Sequence, residues 1–204
     1  MFCQENGKTM DRKIAGICAV VLLLGAILNY VWAIFAKSMG IPVSIEFVIV
    51  AYCLLVLMVP LRLLEVLGIG ILSGFLTFLA NPLHAISITG GQISLASGLS
   101  MALFNLVSEP VGILVCFVLV GLFVTEVPRA AAFPATMMAT LASGFTYLIL
   151  VTVLNSSLLD LQPDYLIMFF GKVIQVAVVN GIIVQVLFLA VREPVTKYLR
   201  IAAD

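Results

Sequence analysis

Charge is what this sequence has least of. Lys, Arg, Asp and Glu make up 10% of its 204 residues, against about 25% in ordinary globular chains. With 63% hydrophobic residues and a mean hydropathy of +1.26, too little polar surface remains to coat a water-exposed body. That excludes a soluble enzyme and a disordered chain alike. Ten basic residues balance ten acidic ones, so the basic footprint of a nucleic-acid binder is missing. Histidine occurs once, as His84, and the four cysteines (Cys3, Cys18, Cys53 and Cys116) form no CxxC pair. Zinc, haem and copper sites therefore lack ligands, and neither a metal nor a cofactor is expected. No GxxxxGK followed by Ser or Thr occurs, which excludes ATP hydrolysis by the usual phosphate loop. His84 follows Asn81-Pro82 and reads as a loop residue, a serine dyad being its one catalytic alternative. No enzyme is expected.

What the chain has is apolar length. A bilayer-crossing helix needs about 20 apolar residues, and the first such run is 14–36, ended by Lys37-Ser38-Met39-Gly40. Lys8, Arg12 and Lys13 precede it, as before a signal peptide. Its apolar core exceeds the roughly 7–15 residues of a signal core, however, and no A-x-A site follows. Residues 43–80 are apolar nearly throughout, about 57 Å as one helix. Two spans, 43–59 and 63–79, joined at Pro60-Leu61-Arg62, resolve that excess. A polar, glycine-rich link runs from Ser87 to Ser100. A fourth span ends near residue 124. Ser108-Glu109-Pro110 reads as a helix start, while a start near 99 with a kink at Pro110 is the alternative. The fifth span is 135–154, introduced by Pro134. The sixth is 165–191, introduced by Pro163 and stopped by Arg192-Glu193-Pro194. The expectation is an all-α integral membrane protein, one transmembrane domain of six helices.

Basic residues favour cytoplasmic segments. With both termini cytoplasmic, the inner segments hold Lys8, Arg12, Lys13, Arg62, Arg129, Arg192, Lys197 and Arg200; only Lys37 and Lys172 fall towards the outside. Five or seven spans would scramble that asymmetry. In this topology the outer halves of the helices carry Asn29, Trp32, Glu46, Tyr52, Asn81, Asn105, Glu109, Thr146, Tyr147, Asn155, Lys172 and Gln175. Polar groups at membrane depth face a cavity or each other, so the pattern points to a pocket open to the outside. Residence at the headgroup level is the alternative for Trp32, Tyr147 and Asn155. Lys172 and Gln175 share one helical face, followed by Asn180. Lys172 either snorkels, pairs with Glu46 or Glu109, or meets a ligand carboxylate or phosphate. Close-packing marks complete the inventory: a GxxxG at Gly70 and Gly74, and an AxxxA at Ala15 and Ala19.

Taken together, the six spans over about 200 residues resemble an S component, the substrate-binding membrane subunit of an energy-coupling factor (ECF) transporter. Lys13-Ile14-Ala15 opens the first helix, a proline-containing break precedes the run from Gly68 to Gly74, and a long link precedes the fourth span. The resemblance implies a high-affinity capture subunit for a micronutrient in a prokaryotic cell membrane. Ala15 and Ala19 would contact a coupling membrane subunit, which works with an ATPase pair encoded elsewhere. The ligand would lie near the outer face, among Asn29, Trp32, Asn105, Glu109, Tyr147, Lys172 and Gln175. Metal-specific relatives carry an N-terminal histidine motif; Met1-Phe2-Cys3-Gln4 has none, which favours a small organic molecule such as a vitamin, a vitamin precursor or an aromatic amino acid. An independent secondary transporter or channel, coupled through Glu65 or Glu109, is the competing class. A membrane scaffold without a ligand is the third.

Overall fold

The computed structural model describes residues 12–88, 102–122, 128–154 and 165–203, with side chains described for 14–79, 102–122, 128–154 and 167–194. The described residues form six α-helices and one short 3-10 turn, with no strand among them. They are α1 (Arg12–Met39), α2 (Phe47–Met58), α3 (Leu63–Ile88), α4 (Asn105–Gly121), α5 (Ala132–Leu154) and α6 (Tyr165–Ala203). The 3-10 turn Arg129–Ala131 leads into α5. Three stretches, Ile14–Met39, Arg129–Leu154 and Ile167–Pro194, are long and apolar enough to cross a membrane; Phe47–Met58, Leu63–Leu79 and Asn105–Gly121 are shorter apolar helices.

The burial pattern suits a lipid surround. Helix α1 turns Cys18, Leu22, Gly25 and Asn29 inward, a stripe at helical spacing. Its opposite side exposes Val20, Leu23, Leu24, Ile27, Leu28, Val31 and Ile34. In water so large an apolar face would drive association; against acyl chains it carries no cost.

Helix α2 has the reverse character. Nine of its twelve residues are buried, and it packs against every other helix. An apolar helix without a polar face belongs in the middle, and α2 is the axis of the body. Contacts run in opposite chain order between α1 and α2, α3 and α4, α4 and α5, and α5 and α6, so consecutive helices alternate up and down. The head end, as used below, is where α1, α3 and α5 finish and α4 and α6 begin.

The GxxxG pair joins α3 to α4. A Cβ on Gly70 would lie 2.8 Å from Ile113 Cγ2, and one on Gly74 would lie 2.6 Å from the Asn105 carbonyl oxygen. Absence of side chains at both positions brings the two backbones together.

Several expected boundaries move. The break at Pro60-Leu61-Arg62 is present, and Glu65 Oε2 accepts the Arg62 N–H at 2.8 Å, capping α3 in the manner of a capping box. Helix α3 then continues through Asn81, Pro82 and His84 to Ile88, so His84 lies on a helix and not in a loop. Helix α4 starts at Asn105 and contains Pro110, so Ser108 is no N-cap and the helix begins before the Ser108-Glu109-Pro110 signal. Helix α6 likewise runs past Pro194. In each case proline forfeits one backbone bond, a loss that long apolar helices tolerate. The second span shortens: residues 43–46 are not helical. The link at 89–101 and Asn155 lie outside the described residues.

Candidate functional site

Helix α1 ends in a left-handed residue, Gly40 (φ 63°), a conformation that glycine adopts without steric cost. The Ile41 N–H reaches back to the Ala36 carbonyl (2.9 Å) and the Gly40 N–H to that of Lys37 (3.3 Å). That pair of bonds is a Schellman cap, and it reverses the chain. Residues 41–46 then run back along α1 instead of starting a helix at its tip. Trp32 Nε1 donates to the Val43 carbonyl at 3.3 Å, fixing the returning segment to α1.

Helix α2 consequently begins inside the body. The N–H of Phe47, its first residue, donates to Asn29 Oδ1 at 2.8 Å, and the Glu46 N–H donates to Asn180 Oδ1 at 3.2 Å. Asn29 lies nearer the middle of α1 than its end, and Asn180 lies midway along the apolar stretch Ile167–Pro194. A helix start leaves backbone donors unpaired. Here side-chain amides from two neighbouring helices satisfy two of them. The Glu46 carboxyl stands at the positive end of the α2 dipole, and its Oε2 accepts from Asn29 Nδ2 at 3.1 Å. Non-helical chain inside a membrane protein is tolerated where it is buried in protein or lines a cavity, and discontinuous helices of this kind carry the ligand and ion sites of many carriers.

A second polar group lies deeper between α2, α4 and α5. The Glu109 side chain is buried, with Tyr52 and Ser143 beside it. Gly112, one turn along α4, leaves space for the phenol: a Cβ there would lie 2.5 Å from Tyr52 Oη and 2.9 Å from Ser143 Cβ. Tyr52 and Ser143 are the side chains placed to hydrogen-bond the Glu109 carboxyl, whereas Asn180 Nδ2 in the first group has no partner. Buried polar atoms are ordinarily satisfied, and Asn180 Nδ2 is an exception.

The residues singled out by sequence divide accordingly. Asn29 and Glu109 are buried and belong to the two polar groups. Trp32 is half-buried beside Phe47, ring centroids 6.5 Å apart. Asn105 is buried but spends its amide on the turn before α4, Nδ2 donating to the Ala102 carbonyl at 3.1 Å. Tyr147 stacks on Phe169 (5.6 Å) with Phe104 edge-on (6.2 Å), an aromatic wall at the head end. Gln175 is half-buried and Lys172 is exposed. Lys172 forms no ion pair with Glu46 or Glu109 among the described residues, although its charge is felt at Glu46. Ala15 is half-buried and Ala19 exposed, at the opposite end of α1. Asn180 and Ser143 are the additions. Asn180 was visible only as a polar residue following Lys172 and Gln175, and Ser143 only as a small residue before Gly144.

Gln185 shows the same logic at the start of α5. Its Oε1 accepts the Phe133 N–H (3.0 Å) while its Nε2 donates to the Arg129 carbonyl (2.7 Å). Helix α6 thus secures the beginnings of two other helices. Among the described residues no group of three His, Cys or carboxylate side chains could hold a metal ion. The geometry offers recognition by hydrogen bonds, charge and aromatic surface. No family model, curated protein or solved structure matches this chain.

Proposed function

We propose that this protein is the substrate-capture subunit of an ECF-type micronutrient importer. In this reading all six helices are spans, both termini are cytoplasmic, and the protein sits in a prokaryotic cell membrane with the head end outside. The ligand is a small organic molecule, such as a vitamin, a vitamin precursor or an aromatic amino acid, held at the outer side. Asn29, Trp32, Asn105, Glu109, Tyr147, Lys172 and Gln175 are the residues assigned to it. Ala15 and Ala19 form the face offered to a coupling membrane subunit, which acts with an ATPase pair.

The observation that carries the reading is the gathering of buried polar side chains among α1, α2, α4, α5 and α6, with an aromatic wall at the head end. Recognition without a motor or a reactive group is what a capture subunit needs. Native mass spectrometry of freshly purified protein tests it, with a co-purified small molecule as the expected result. Uptake into proteoliposomes should then require the coupling subunit, the ATPase pair and ATP.

Burial of Glu109 favours a second reading. A buried carboxyl in an apolar helix suits an independent carrier coupled to an ion gradient. Glu65 loses that candidacy, because its carboxylate is engaged in capping α3. Uptake by the protein alone, driven by an imposed ion gradient and indifferent to ATP, would decide for the carrier.

A further inference from the structure

We draw no further inference here: the strongest candidate, the apolar groove of about 510 Å³ between Ile149 and Val153 on α5 and Ile167 and Phe170 on α6, carries nothing because nothing in the structure shows what covers it.

Discussion

Asn29 and Glu46 are bonded across the reversal that joins the first two helices: Asn29 Nδ2 donates to Glu46 Oε2 at 3.1 Å, while Asn29 Oδ1 takes the Phe47 N–H at 2.8 Å. One side-chain amide thus holds both the carboxyl and the backbone at the start of α2. With Asn180 on the other side, it lets the central helix begin inside the body.

This arrangement predicts a large cost for losing the amide. Asn29→Ala leaves the Phe47 N–H and the Glu46 carboxyl short of a partner, and an unsatisfied buried group costs about 1–3 kcal/mol. Asn29→Asp keeps an acceptor but sets a second carboxyl against Glu46 and should not rescue. Ser38→Ala, which removes an exposed bond to the Phe35 carbonyl, should stay within about 0.5 kcal/mol. Thermal unfolding of the three variants in one detergent checks the order.

Two glycines should answer differently to the same added methyl. Gly112→Ala pushes on Tyr52, Ser143 and the Ala139 carbonyl and should destabilise by about 1–3 kcal/mol, as overpacking does. Gly16→Ala, with no atom within 4 Å of the new methyl, should be neutral or gain up to about 1 kcal/mol from helix propensity. Equal effects at both sites would contradict the packing between α2, α4 and α5.

Topology is open to labelling. Ser38 lies in the last turn of α1 and Ala130 in the 3-10 turn before α5, both exposed. In a Cys-less background, Ser38→Cys should react with a membrane-impermeant maleimide on intact cells, and Ala130→Cys only after permeabilisation. Reaction of both on intact cells would refute the proposed six-span arrangement.

The strip at the start of α1 should separate assembly from folding. Ala19 is exposed and Ala15 half-buried one turn away. Ala19→Trp is expected to abolish co-purification with a coupling subunit and ATP-dependent uptake, with the thermal midpoint of the isolated protein unchanged. Ala15→Trp should block assembly too, at some cost in stability because of its partial burial. Intact uptake in Ala19→Trp would remove this face from the proposed interface.

Composition and the length of the apolar runs pointed to helices fit to cross a membrane, and three of the described stretches are long and apolar enough to do so. Breaks made of several local signals were also legible. Pro60-Leu61-Arg62 ends one helix, and Lys37-Ser38-Met39-Gly40 ends another, through steric and capping rules that act over a few residues. Two prolines misled: Pro82 and Pro194 lie inside helices, and Pro110, which left two readings open, does too; a long helix can run past one missing backbone bond.

The site was legible only in part. Asn29 and Glu109 stand out as polar residues in apolar runs, and both prove buried. What no pattern revealed is that residues 41–46 turn back into the body, so that Glu46 meets Asn29 and, far along the chain, Asn180. Nor did it reveal that Lys172 faces outward while the two carboxyls face in. Polarity and helix-forming tendency are properties of short segments, and the sequence by itself determines them. Partnership between α1, α2 and α6 and the place where α2 starts depend on which helices pack together. Only the tertiary structure decides that, because the same apolar faces would satisfy lipid in many arrangements, while the donors at the start of α2 are satisfied in this one.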